Sequence, residues 1–225
     1  MADAADHYEA ATVRIAGIVR NLDDRQLATP VPACPGWTVR DLVCHLTGVA
    51  KDVTANNMAG APGRAWTDAQ VNTRTDVPLA GVLEEWEALV PVVRRFMGEA
   101  PALMGSILVS DVTAHEHDLL AAVGRTGDRD GGTVHFAFEG LVGRVGTKLT
   151  EAGKPALRVV AGDRELVAGD GEPAATVTCS PFEFIRAFTG RRSPDQLRAL
   201  FTAGDPEVFV GSMSVFEPRP DPLVE

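Results

Sequence analysis

No apolar run in this chain approaches the roughly 20 residues that a membrane-spanning helix requires, so no membrane partner is expected. The first eleven residues carry acids and scattered polar groups where a secretory leader would place basic residues and then a greasy stretch. A cytoplasmic location follows as an expectation. Basic residues are in deficit: 21 Lys and Arg stand against 31 Asp and Glu, a formal net charge of -10. Lacking a concentrated basic patch, such a chain repels a phosphate backbone, which argues against a nucleic-acid partner. Cysteine is scarce. Cys34, Cys44 and Cys179 are odd in number and form no C-x-x-C pair. That pattern argues against a disulfide framework or a thiolate zinc cluster and leaves buried free thiols as the simplest expectation.

What is present suits a globular chain. Hydrophobic residues make up 45% and charged residues 23%, and 225 residues can bury one large core or two small ones. The first half reads as helices. From Ala5 to Leu27, apolar residues at Ala11, Ile15, Ile18, Val19 and Leu22 recur at helical spacing. The stretch 29–36, with three prolines and Gly36, breaks the helix. Thr38 can cap a second helix, Asp41 suits its positive end, and Val39, Leu42, Val43, Leu46, Val49 and Ala50 form one apolar stripe. A long polar loop with Gly60, Pro62 and Gly63 follows and reads as a lid or binding segment. A third helix is expected from Leu79 to Gly98, kinked at Pro91, and a fourth from Leu103 to Val123, stopped by Gly124. Four amphipathic helices of this length make a four-helix bundle.

The Gly- and Asp-rich stretch 124–132 reads as a boundary loop, and a fifth helix from about Thr133 to Ala152 as a bridge. Beyond Pro155 the pattern changes. Segments 157–161 and 175–179 have short-strand character. Ser180-Pro181 opens a helix reaching Thr189, Pro194 to Phe201 forms another, and a last strand is expected around Val208 to Val210. The expected class is α+β: a helical bundle over residues 1–153 followed by a small α/β domain over 154–225.

Five histidines are the main carriers of chemistry. Asp111 and His115 are four apart, so they project from one helix face a turn apart. His45 borders the apolar stripe of the second helix. A carboxylate and a histidine on one helix, with a histidine from another, is a common way for a bundle to hold a metal. Two imidazoles and a carboxylate leave a coordination position open, and they favour zinc among common ions. Spacing alone leaves other readings open. An Asp–His pair also makes plain helix contacts, and a core histidine is often only hydrogen-bonded. Asp118, about a turn beyond His115, could orient its imidazole, or lie exposed. Arg40 could hold a carboxylate of a substrate or thiol cofactor, Trp37 could line a pocket or act as a hydrophobic staple, and Arg191 and Arg192 could face a cleft or decorate a helix end. His117 points nearly half a turn away from His115, and Cys44 lies on a different helix face from His45.

Residues 35–46, Pro-Gly-Trp-Thr-Val-Arg-Asp-Leu-Val-Cys-His-Leu, resemble the first signature of the mycothiol-dependent maleylpyruvate isomerase-like family, part of the DinB-like metal-binding superfamily. Asp111-Val-Thr-Ala-His115-Glu-His-Asp-Leu119, running on to Gly124, is similar to its second signature. Residues 184–192 with Gly204-Asp205 are similar to its C-terminal segment. The resemblance implies a DinB-like up-down four-helix bundle followed by a small α/β domain. It also implies metal ligands at His45, Asp111 and His115, where Asp111 replaces the family's glutamate and is one methylene shorter. It further implies a divalent metal such as Zn2+, mycothiol as a low-molecular-weight thiol cosubstrate, and a small electrophile that is isomerised or conjugated. A bundle that binds metal or a small ligand without turnover, as a sensor or stress protein, is the alternative; a structural protein without metal is a third. Monomer and homodimer both remain open.

Overall fold

In the computed structural model, residues 2–214 and 216–225 are described. The chain divides into two compact units, Met1–Gly127 and Asp128–Glu225. The division falls inside the expected boundary loop. It lies one helix earlier than the expected boundary at 153/154, so the fifth long helix belongs to the second unit.

The first unit is built on four long helices: α1 (Ala4–Val19), α3 (Val39–Thr54), α5 (Leu79–Glu99) and α6 (Ala102–Ala122). α1 and α3 each touch α5 and α6, and α5 touches α6, which closes a four-helix bundle. The apolar stripe of α3 is where the sequence places it, with Leu42, Val43, Leu46 and Ala50 buried; on α5 the buried residues are Val82, Leu83, Trp86 and Val93. α6 is buried on nearly every side, from Leu108 to Leu120, so the polar groups within that span must find partners inside the bundle. α5 runs through Pro91, whose missing N–H removes one helical hydrogen bond.

Two features of this unit differ from expectation. The first helix ends at Val19, not Leu27. Asp23 and Gln26 form a capping box that starts a separate short helix, α2 (Asp24–Leu27), because the Asp23 side chain accepts from the Gln26 N–H and Gln26 answers in return. The polar loop also contains a helix, α4 (Arg64–Asn72), which lies against α3.

The second unit opens with α7 (Gly132–Glu151), followed by strands β1 (Ala156–Ala161), β2 (Arg164–Ala168) and β3 (Pro173–Thr178), helices α8 (Pro181–Phe188) and α9 (Pro194–Arg198), and β4 (Phe201–Ala203). The sheet order is β2-β1-β3-β4; β1 and β3 run parallel, and both outer strands pair antiparallel. α7 packs on β1, β2 and α8. Phe138 of α7 meets Phe184 of α8 edge-on at 5.2 Å, and Phe184 stacks on Phe188 at 4.6 Å. Ser180 caps α8 with Pro181 at its start, as expected. The strand expected around Val208 to Val210 is instead a 3₁₀ turn (Pro206–Val208) and a short helix, α10 (Val210–Met213), because Asp205 accepts from the Glu207 N–H and Pro206 presets helical φ. Arg192 makes a two-pronged pair with Glu183, at 2.6 and 2.7 Å, and Arg191 donates to the Thr189 carbonyl; both side chains are buried.

Candidate metal centre

The capping box of α3 fixes where His45 begins its turn: Thr38 accepts from the Asp41 N–H, and Asp41 accepts from the Thr38 N–H at 2.9 Å. His45 then lies on the buried side of α3. Its Nδ1 is 2.8 Å from Gln70 Oε1, and Gln70 Nε2 donates to Asp52 Oδ2 at 2.7 Å. Because the amide nitrogen is committed to Asp52, the amide oxygen accepts from Nδ1–H. The neutral ring therefore keeps its lone pair on Nε2.

α6 supplies the other half. The His115 Nδ1 is 3.0 Å from Asp118 Oδ2 and its Nε2 is 3.6 Å from Asp111 Oδ1. Asp118 is 0% exposed, and this imidazole is one of the partners that offset the cost of burying its charge. Burial disfavours a charge on His115, but the hydrogen bonds with Asp118 and Cys34 and the Asp111 charge outweigh it and push the pKa up to about 10. The rings of His45 and His115 meet edge-on at 5.0 Å, and Trp37 lies 4.7 Å from His45 and 6.2 Å from His115.

Donor atoms of His45, Asp111 and His115 all lie within 4.8 Å of one another. The 3.6 Å between His115 Nε2 and Asp111 Oδ1 is close to the edge, about 3.4 Å, of a tetrahedron with bonds of about 2.1 Å. Both rings are held from behind, His45 by Gln70 and His115 by Asp118, as ligating histidines characteristically are. The donor set fits a divalent ion. Of the two sequence readings of Asp118, the structure has it buried against His115 Nδ1 and not exposed.

Other candidates divide. Trp37 stands beside both rings. Arg40 does not join them: its Nη2 donates to the backbone carbonyls of Arg74 and Thr75, at 3.1 and 3.2 Å, and so ties down the turn after α4. His117 is buried on α6, against the Gly127 turn. Burial pushes the Cys44 thiol up, and that of Cys179 to about 12, in keeping with structural thiols. Cys34 is different. It is half-buried, with its sulfur 3.4 Å from Asp118 Oδ2 and 3.8 Å from His115 Nδ1.

Sequence reasoning missed Gln70, which is the only buried residue of α4. Gly48, one turn beyond His45, makes room for it. A Cβ at Gly48 would lie 2.4 Å from Gln70 Cβ and 2.5 Å from its Cγ. Gly48→Ala should leave the helix intact, since alanine favours helix, but displace Gln70 and release His45 Nδ1. Metal affinity should then fall by about 10- to 100-fold in a chelator competition, with far-UV circular dichroism unchanged.

The helical bundle brings two histidines and a carboxylate to one place, a donor set that could hold a metal, in a fold consistent with the DinB-like kind. The chain belongs to the mycothiol maleylpyruvate isomerase N-terminal domain family, whose description matches residues 8–128. Two solved structures of the mycothiol-dependent maleylpyruvate isomerase share the fold. One, of a histidine-to-alanine mutant, superposes with a TM-score of 0.59, and the other with 0.54. Each is 13% identical, over 96% of this chain and 95% of that chain. Comparison with curated proteins gives no match. Among the described residues, no helix is long and apolar enough to cross a membrane.

Proposed function

We propose that this protein is a metal-dependent, thiol-using enzyme that isomerises or conjugates a small electrophile, with the ion, zinc by its donor set, held by His45, Asp111 and His115. The observation that carries this reading is the convergence of the three donors with both imidazoles held from behind, by Gln70 and Asp118. A divalent ion held this way lowers the pKa of a thiol placed in its open position and so supplies a thiolate near neutral pH. The chain's own residues do the rest. Gln70 and Asp118 fix which nitrogen each ring presents, and Asp111 contributes negative charge that offsets the ion's. Trp37 covers one side of the two rings and shields them from water. In the solved relatives the thiol is mycothiol and the substrate maleylpyruvate; by family membership the same thiol class and a small unsaturated acid are the first choices here. If the added thiol leaves again, the double bond can change geometry; if it stays, the product is a conjugate.

The test has two steps, on wild type and His45→Ala. Wild type should carry one divalent ion per chain and the variant almost none. The loaded wild type should consume an electrophile such as maleylpyruvate only when a low-molecular-weight thiol is present, with the variant inactive. No metal after reconstitution with zinc would overturn the site. A loaded protein that shows no thiol-dependent consumption would overturn the enzyme reading and leave a metal-binding bundle.

A further inference from the structure

The edge of His115 that faces away from His45 and Asp111 carries a second set of donors. Cys34 Sγ, His115 Nδ1 and Asp118 Oδ2 form a triangle with sides of 3.0 Å (Nδ1 to Oδ2), 3.4 Å (Sγ to Oδ2) and 3.8 Å (Sγ to Nδ1). Tetrahedral ligation with bonds of about 2.0 Å to oxygen or nitrogen and about 2.3 Å to sulfur requires edges of about 3.3, 3.5 and 3.5 Å in the same order. The match needs only small side-chain movement.

The frame that holds these atoms is stiff. Cys34-Pro35-Gly36-Trp37 is a tight turn closed by the Trp37 N–H on the Cys34 carbonyl at 3.0 Å, with Pro35 second and Gly36 third at a φ of +90°, the pattern of a type II turn. The strand-like bridge between Pro30 and Thr38 anchors that loop to the start of α3. His115 and Asp118 are three apart on α6, so a single helical turn sets their spacing. Asp118 is fully buried, whereas Cys34 is only half-buried and gives an ion a route in.

We propose that Cys34, Asp118 and the Nδ1 of His115 form a second metal position, selective for thiophilic divalent ions, and that it excludes the position made with His45 and Asp111. The exclusion follows from the ring. A neutral imidazole has one lone pair, so an ion on Nδ1 moves the ring proton to Nε2 and removes the nitrogen that the first position uses. Thiolate and carboxylate together neutralise a divalent ion. Sulfur makes this edge the softer of the two, so cadmium should choose it, while a borderline ion such as cobalt should choose the nitrogen-rich edge. The inference goes beyond the proposed activity and does not require turnover.

Cadmium(II) and cobalt(II) titrations of wild type, Cys34→Ser and His45→Ala test it, with thermal unfolding as a check that each variant folds. Cadmium should give a thiolate-to-metal charge-transfer band in wild type, kept in His45→Ala and lost in Cys34→Ser. Absence of the band in wild type would overturn the proposal. So would its loss in His45→Ala, because Cys34 and His45 would then share one ion. Cobalt bound by Cys34→Ser, without a charge-transfer band, reads the first position independently, so failure of the second leaves the first separately measured.

Discussion

Raising the pH from about 7 to about 9 should tighten binding of a divalent ion at His45, Asp111 and His115 by about tenfold per pH unit. The reason lies in His115. Its burial works against a charge, but Asp118 and Cys34 as hydrogen-bond partners and Asp111 as a neighbouring charge win, and the ring stays protonated up to about pH 10. An ion that uses the Nε2 lone pair must displace that proton. One proton lost per ion bound gives the tenfold slope, which flattens as the pH nears the ring's own pKa. Titrations against a competing chelator at three pH values would measure the slope, and calorimetry in buffers of different ionisation enthalpy would count the proton. An affinity that does not change with pH would mean that the ion does not use His115.

The same group shapes stability without metal. The folded-state pKa lies above the ordinary histidine value of 6.5. The stabilisation from protonated His115 is therefore fully present below about pH 6.5 and lost as the pH rises through about 10. Metal-loaded protein does not depend on that proton, so the gap between the melting temperatures of loaded and metal-free protein should widen over this range.

The parts of this arrangement that were legible in the sequence are those written in apolar periodicity and capping. Leu42, Val43 and Leu46 give the phase of α3, the Thr38–Asp41 box gives its start, and together they place His45 on a buried face. Helical spacing puts Asp111, His115 and Asp118 within reach of one another along α6, whereas the selection of Asp111 and His115 for a metal site came from the family resemblance. α4 was illegible because it has no apolar stripe: its single buried side chain is the polar Gln70, and Gly60, Pro62 and Gly63 ahead of it read as a loop. Cys34 was read as a plain buried thiol because its approach to Asp118 depends on how the Pro-Gly turn docks on α6, a long-range contact that no local pattern records. At the other end of the chain, β-branched Val208 and Val210 suggest a strand, but Asp205 and Pro206 fix the backbone as a helical turn before that preference can act. β2 and β4 went unread because only one of their eight residues, Ala168, is fully buried, so neither shows strict alternation.

Replacing His115 with alanine should destabilise the metal-free protein at neutral pH by about 3–5 kcal/mol, because it removes a cationic partner from the fully buried Asp118 carboxylate. His45→Ala should do less, about 1–3 kcal/mol, since it leaves only a neutral acceptor, the Gln70 amide oxygen, unsatisfied. The two variants thus separate ligand loss, which both share, from loss of a cationic partner of Asp118, which belongs to His115 alone. A double variant isolates the latter. In His115→Ala with Asp118→Ala the buried charge is gone with its partner, so the pair together should be more stable than the sum of the single losses predicts, by about 0.5–3 kcal/mol. Urea unfolding of the four proteins, stripped of metal, completes the cycle. Strictly additive losses would mean that His115 and Asp118 do not act as one unit. The carboxylate would then contribute nothing to how the imidazole presents Nε2, and Asp118→Asn should leave metal affinity where it was instead of lowering it by about 10- to 100-fold.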